Sequence, residues 1–76
     1  MILRDALKHF EAELEQAGVS SPNTNAEWLV GAALGMDRME VLLRAAGGVL
    51  TLTPEQIEEI RRLIRRRAAR EPLQYI

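Results

Sequence analysis

The chain contains no cysteine, one histidine, three aromatic residues and no long apolar run. Without cysteine it can form neither a disulfide nor a thiolate metal site. No apolar stretch approaches the roughly 20 residues that a helix needs to span a bilayer. The first 18 residues are too acidic for a signal or transit peptide. We therefore expect a soluble, cytoplasmic protein that has no membrane partner.

The charged residues are unevenly distributed along a chain of only 76 residues, which is enough for one small domain. A domain of this size buries only about 60–65% of its unfolded surface, so its stability is marginal. The net charge is −1, but residues 1–60 carry four cations and ten anions, whereas residues 61–76 carry six cations and one anion. Such a chain can offer a basic surface to an acidic partner.

Apolar periodicity and helix-capping residues predict an all-α fold, a small bundle of four to five helices. Ser21 followed by Pro22 is a typical helix start. Asp37 with Glu40, and Thr53 with Gln56, have the spacing of capping boxes. The expected helices, with their caps, cover about residues 2–17, 21–34, 37–47 and 53–70. The predicted core residues are Leu3, Leu7, Phe10, Leu14, Ala17, Ala26, Leu29, Val30, Ala33, Met39, Leu42, Leu43, Ala46, Ile57, Ile60, Leu63, Ile64 and Ala68.

The second predicted helix is apolar nearly all round, which is typical of a helix in the middle of a bundle. Gly31, Ala32 and Ala33 would let a neighbouring segment approach closely. In a central helix Trp28 is expected to lie in the core. If one side of the helix is open, Trp28 and Ala32 instead form an apolar patch that can bind a partner.

The residue types that carry out catalysis are scarce. His9 is the only histidine, and without a second histidine or a cysteine it is expected to be a surface residue. Gly47 and Gly48 precede an apolar connector, so they indicate a helix stop and not a phosphate-binding loop. We therefore predict no catalytic residue, no metal site and no cofactor site within these residues.

Six of the ten cationic residues are arginines near the end of the chain. Cations at the end of a helix are favoured by its dipole, and this alone can account for them. The alternative is a docking surface for an acidic protein or for a phosphate backbone. Protein is favoured over nucleic acid because three aromatic residues provide no platform for stacking bases. The candidate partner-binding residues are Arg61, Arg62, Arg65, Arg66 and Trp28.

Three stretches of the sequence resemble the N-terminal domain of the HemK/PrmC enzymes, which methylate peptide chain release factors. The first runs from Asn25 to Val30 and is followed by Leu34-Gly35. The second is Leu52-Thr53-Pro54-Glu55-Gln56. The third, from Arg66 to Ile76, is similar to the family's Arg-Arg…Glu-Pro-x-x-Tyr-Ile segment and is the most specific. Asn25 departs from the pattern, because the family often has an acidic residue there.

The resemblance implies that the complete protein transfers a methyl group from S-adenosylmethionine to a glutamine in the Gly-Gly-Gln loop of a release factor. The catalytic and cofactor motifs of that family belong to a C-terminal methyltransferase domain, and neither occurs here. Residues 1–71 would then be a helical substrate-recognition bundle, and residues 72–76 the start of a linker strand. The implied partners are a release factor and the protein's own methyltransferase domain. The candidate hinge residues are Arg67, Glu71, Pro72 and Tyr75.

Two further hypotheses remain open at this point. One is a helical module that binds RNA through phosphate contacts, which would make its affinity fall steeply with salt. The other is a structural bundle that dimerises through Trp28 and the small residues of the second helix.

Overall fold

Four α-helices and a short 3-10 helix form the fold of the computed structural model, which describes residues 1–75 apart from the side chain of Tyr75. The predicted all-α bundle is confirmed, and the helix bounds lie within about two residues of the predicted ones. No helix among these residues has the length and apolarity needed to cross a membrane. The helices are α1 (Leu3–Gln16), α2 (Pro22–Leu34), α3 (Arg38–Gly47) and α4 (Pro54–Ala68), and the 3-10 helix is Leu73–Tyr75.

Helix α2 packs against α1, α3 and α4, as predicted for a helix in the middle of the bundle, and α1 likewise contacts all three other helices. Leu29 and Val30 on this helix are fully buried. Gly31 is needed for close packing, because a Cβ atom at this position would lie 2.5 Å from the carbonyl oxygen of Met36. The predicted close approach to this helix is therefore confirmed at Gly31, whereas Ala32 is exposed.

The hydrophobic core lies between α2 and the faces that the other helices turn toward it. Helix α1 contributes Phe10 and Leu14, both fully buried, together with Ala6, which the predicted stripe omitted. Most of the predicted core residues of α1, α2 and α4 are buried or packed at its edge. The buried core residues are Leu3, Ala6, Phe10, Leu14, Val19, Ala26, Leu29, Val30, Val41, Ala45, Leu52, Ile60, Leu63 and Ile64.

The predicted inner face of α3 is wrong. Met39 and Leu43 are 64% and 66% exposed, whereas Val41 is fully buried and Ala45 is 8% exposed. The chain enters α3 through a tight turn, in which the Met36 N–H donates to the Gly31 carbonyl at 2.9 Å. This turn brings α3 close to α2, so compact side chains face inward and the larger Met39 and Leu43 face solvent.

The helix starts differ in how well they follow their capping patterns. Thr53 and Gln56 form both hydrogen bonds of a capping box, as predicted. Asp37 accepts from the Glu40 N–H at 2.8 Å, but the Glu40 carboxylate binds Arg44 instead of completing the box. The predicted side-chain cap at Ser21 is wrong: this residue has a left-handed backbone and makes no capping hydrogen bond.

The connector between α3 and α4 pairs with the start of the chain. The Leu3 N–H donates to the Leu50 carbonyl at 2.8 Å, and the Leu52 N–H donates to the Met1 carbonyl at 2.9 Å. These bonds flank an isolated antiparallel bridge between Ile2 and Thr51. The sequence predicted an extended connector but not its partner.

The linker strand predicted after Pro72 is not confirmed. Residues Leu73–Tyr75 form a 3-10 helix, and the rest of that prediction, Ile76, lies outside the described residues. Just before it, Arg70 has a φ of 75°, in the left-handed region. The backbone therefore turns sharply after α4 instead of continuing as an extended chain.

The burial pattern predicts opposite outcomes for two leucine truncations. Leu14→Ala removes a fully buried side chain and should lower the free energy of unfolding by about 2–5 kcal/mol. Leu43→Ala, at an exposed helix position, should change it by less than about 0.5 kcal/mol. Urea denaturation followed by far-ultraviolet circular dichroism measures both. If Leu43→Ala lowered the free energy of unfolding by more than about 2 kcal/mol, Leu43 would have to be a core residue, as the sequence analysis predicted.

Candidate partner-binding site

Glutamates on the preceding turn of α4 pair with its first two arginines. Arg61 Nη1 donates to Glu58 at 2.5 Å, and Arg62 Nη2 donates to Glu59 at 2.6 Å. Both pairs join residues three positions apart on the helix. The hydrogen bond from Arg62 lowers the pKa of Glu59 below its ordinary value. Even in its pair, the Arg62 side chain remains 58% exposed.

Arg66, in the last turn of α4, pairs with Glu71, which lies just beyond the end of the helix. Its Nε and Nη2 atoms donate to the two carboxylate oxygens of Glu71 at 2.8 and 2.5 Å. This two-pronged arrangement matches the fork of the guanidinium group to the carboxylate. The hydrogen bonds lower the pKa of Glu71 and raise the pKa of Arg66. The pair spans the turn that carries the chain out of α4.

Arg67 connects α4 to the start of α2 through Asn25. Its Nε atom donates to Asn25 Oδ1 at 2.9 Å. The Asn25 Nδ2 group in turn donates to the carbonyls of Ser20 and Ser21, each at 3.1 Å. Asn25 is buried, and these bonds satisfy both ends of its amide. Asn25 therefore supports the turn where the Ser21 side chain provides no cap.

Arg70 makes a second link between the end of α4 and the α1–α2 connection. Its Nη1 atom donates to the carbonyl oxygen of Gly18 at 3.1 Å. Gly18 has a φ of 80°, so glycine suits this stop after α1. The Val19 N–H closes the stop by donating to the Leu14 carbonyl at 3.0 Å. Arg67 and Arg70 together fasten the end of α4 to the loop before α2.

The six arginines are therefore not a uniform cationic surface. Five of them are hydrogen-bonded to carboxylates, an amide or a backbone carbonyl. Arg65 is the exception: it is exposed, and its side chain forms no ion pair or hydrogen bond within residues 1–75. Sequence reasoning could not identify the partners of Arg67 and Arg70, because Asn25 and Gly18 lie more than 40 residues away along the chain.

Trp28 is not a core residue, contrary to the first expectation, since it is 51% exposed. It lies in an open apolar groove of about 510 Å³. Helix α2 forms one wall of this groove with Trp28 and Ala32, and the buried Leu29 also lines it. The other wall is formed by Leu73 and Gln74, at the end of the chain. The alternative interpretation of Trp28, an apolar patch shared with Ala32, agrees with this geometry.

The remaining candidate residues have ordinary surroundings. His9 is exposed, as predicted, and its ring packs edge-on against Phe10 with centroids 5.0 Å apart. The described residues contain no cluster of three or more potential metal ligands. The backbone of Tyr75 belongs to the terminal 3-10 helix, but its side chain lies outside the described part. The fold and its exposed groups thus define a small helical domain with two candidate binding surfaces, the α4 arginine face and the Trp28 groove.

Comparisons with known proteins identify the family. The model of the family described as the PrmC N-terminal domain matches residues 5–76. Release factor glutamine methyltransferases from Geobacter sulfurreducens and Deinococcus radiodurans are 39% and 41% identical to this chain, over 97% and 100% of its length. The enzyme of that name from Bifidobacterium longum is 33% identical over the whole chain. No solved structure matches the chain significantly.

The chain belongs to the PrmC N-terminal domain family. It spans about a quarter of the length of the curated relatives that it matches. The resemblance stated from the three sequence stretches is therefore confirmed, and it extends across the chain. Those relatives are methyltransferases, and their remaining three quarters lie outside this chain.

The Arg66–Glu71 pair predicts how Glu71 titrates. Arg66 lowers the folded-state pKa of Glu71 below its ordinary value of 4.5. The stabilisation from this pair is therefore complete above pH 4.5 and is lost as the pH falls through the lower folded-state value. In a carboxyl-carbon NMR titration, Glu71 should have a midpoint below 4.5, and Arg66→Gln should raise it. The control Arg65→Gln should leave the Glu71 midpoint unchanged. If both variants raised the midpoint equally, Glu71 would not be paired specifically with Arg66.

Asn25 is expected to stabilise the fold far more than its neighbour on the same helix. Asn25→Ala leaves the Ser20 and Ser21 carbonyls and Arg67 without their partner, which should cost about 1–3 kcal/mol of unfolding free energy. The exposed Asn23 provides the matched control, and Asn23→Ala should cost less than about 0.5 kcal/mol. Urea denaturation at pH 7 compares them. Equal stability of the two variants would show that the Asn25 bonds are dispensable.

Proposed function

We propose that this chain is the release-factor-binding domain of a protein-glutamine methyltransferase. The complete enzyme would use S-adenosylmethionine to methylate the glutamine of a release factor's Gly-Gly-Gln loop. The observation that carries the proposal is the alignment of this chain, over nearly its full length, with one quarter of three release factor glutamine methyltransferases. The active site and the cofactor site are assigned to the remaining part of the enzyme.

A separate recognition domain has a physical rationale. A catalytic pocket that admits one flexible loop contacts too little of a protein to distinguish it from others with a similar loop. Stable protein interfaces bury about 800 Å² on each partner. The total accessible surface of this bundle is 4566 Å², so one of its faces can supply a substantial part of that area. Binding through the bundle would thus add the selectivity that the loop lacks.

The candidate contact residues lie on the outer face of α4. Arg65 is the strongest candidate, because its charge is not neutralised by a neighbour within the described residues. Arg62 is paired but largely exposed, and Arg61 is paired with its side chain less accessible. An acidic partner would be attracted to this face by electrostatic steering, which raises the association rate and weakens with salt. Arg66 is tied to Glu71 and is assigned a structural role in this proposal.

The hinge residues are proposed to position the chain where it leaves the bundle. Glu71 binds Arg66 through its carboxylate and accepts from Arg67 Nη1 through its carbonyl at 3.5 Å. Pro72 follows and prevents the helix from continuing. Through this arrangement Arg67, Glu71 and Pro72 would set the direction in which the chain approaches the methyltransferase domain, with Tyr75 at the exit.

Charge reversal at Arg65 tests the binding surface. Stopped-flow mixing of the 76-residue chain with a release factor at 50 mM and 300 mM salt should show a several-fold lower association rate for Arg65→Glu at the lower salt. The difference should shrink at the higher salt, because screening weakens steering. The matched control is Lys8→Glu, an equal charge change at an exposed position of α1, which should bind as the unaltered chain does.

Three results would count against the proposed function. Absence of binding to any release factor would remove the recognition role. Equal losses for Arg65→Glu and Lys8→Glu would show that net charge matters and that α4 has no special part. Tighter binding to structured RNA than to release factors would favour the RNA-binding alternative, although the pairing of Arg61 and Arg62 with glutamates disfavours phosphate contacts.

A further inference from the structure

The groove beside Trp28 has the features of one side of a protein interface. Single exposed apolar side chains are common on protein surfaces. Here, however, a half-exposed tryptophan and an exposed alanine, Ala32, lie beside the buried Leu29. Leu73 closes the groove from the opposite side and is itself packed against the core. A concave, apolar site with an aromatic residue on its wall is the kind that protein contacts fill.

The groove wall opposite Trp28 is formed by residues near the end of the described part of the chain. Leu73 and Gln74 belong to the 3-10 helix that follows α4. Their position is held by the Arg66–Glu71 pair and by the bond from Arg67 to the Glu71 carbonyl. Arg70, bound to the Gly18 carbonyl, anchors the same turn to the rest of the bundle. Leu73 and Gln74 therefore lie at the edge of the groove, and several hydrogen bonds fix the turn that brings them there.

A connected segment has a large advantage over a separate molecule at such a site. A segment joined to the groove by a few residues meets it at an effective concentration in the millimolar range. A release factor or a second copy of the chain would have to compete from free solution. The chain matches a family of N-terminal domains, and its curated relatives are about four times as long, so a protein of that length would have additional polypeptide after residue 76.

We propose that the Trp28 groove is the docking site for the polypeptide that follows residue 76 in the full-length protein. The occupant is an apolar segment of that protein's own methyltransferase part, which covers Trp28 and Ala32. The groove then holds the two parts of the enzyme in a defined relative orientation, and the release factor binds elsewhere on the bundle. The proposal relies on the proposed function for the existence of the longer protein, but its test requires neither a release factor nor methyl transfer.

Hydroxyl-radical footprinting read by peptide mass spectrometry tests the docking site. The oxidation rate of Trp28 should be about fivefold lower in the full-length protein than in the 76-residue chain, because a 51% exposed side chain becomes part of an interface core. Met39, exposed on the outer face of α3, serves as the reference and should react at a similar rate in both proteins. An equal Trp28 rate in the two proteins would overturn the proposal.

Two exposed alanines provide matched variants for the same experiment. Ala32→Glu places a charge in the groove, and Ala12→Glu places one on the surface of α1. In the full-length protein Ala32→Glu should return the Trp28 oxidation rate to that of the 76-residue chain, whereas Ala12→Glu should not. Both variants of the short chain should keep its melting temperature, which separates loss of docking from loss of folding.

Other occupants of the groove give different footprints. Protection of Trp28 in the short chain that grows with its concentration would assign the groove to a second copy. Protection of the full-length protein that appears only after a release factor is added would assign it to the substrate. Either result overturns the docking proposal while leaving the methyltransferase assignment intact. Failure of the full-length protein to methylate a release factor would overturn the proposed function and leave the footprint result standing.

Discussion

The structure depends on packing α2 against all three other helices. A chain of 76 residues has too little core to leave its most apolar helix at an edge. With α2 in the middle, Leu29 and Val30 are buried, and α3 must approach closely at Gly31. The same close approach selects Val41 and Ala45 for the inner face of α3 and leaves Met39 and Leu43 outside. This arrangement is accompanied by short loops. The connector between α3 and α4, residues 49–52, pairs with the start of the chain.

The arginine-rich end of α4 combines two roles that the sequence does not distinguish. Arg66 binds Glu71 within the turn after α4. Arg67 and Arg70 bind Asn25 and Gly18, and these two arginines fasten the helix end to the loop before α2 and to its first turn. Arg62 and Arg65 point outward on the same helix and remain accessible. Part of this basic segment therefore stabilises the turn after α4, and the accessible remainder is the surface that we propose a partner binds.

Most of the fold could be predicted from local signals. The capping box at Thr53, the glycine stops and the apolar periodicity of α1 and α4 all involve residues within one or two turns, and the structure agrees with them. The errors arose where distant parts of the chain decide the outcome. The inner face of α3 depends on how closely α2 approaches, and the start of α2 depends on Asn25 and Arg67, which are 42 residues apart.

The candidate site was less predictable than the fold, for the same physical reason. Arg61, Arg62, Arg65 and Arg66 were chosen from composition, which cannot show that most of them are paired. Trp28 was identified as ambiguous, and only the position of Leu73 and Gln74 shows that it lines a groove. The resemblance to the HemK/PrmC enzymes required none of this geometry, because its third stretch lies at the end of α4 and the turn beyond it, where the sequence itself is distinctive.

The central claim is that this bundle recognises the release factor as a protein while another part of the enzyme acts on the loop. The most direct test compares kcat/KM of the full-length enzyme, with and without residues 1–71, on an intact release factor and on a short peptide carrying the Gly-Gly-Gln loop. The account predicts that removing the bundle lowers kcat/KM for the intact release factor and leaves the peptide reaction nearly unchanged. Equal losses on both substrates would contradict it, because the bundle would then support the catalytic domain and would not recognise the substrate.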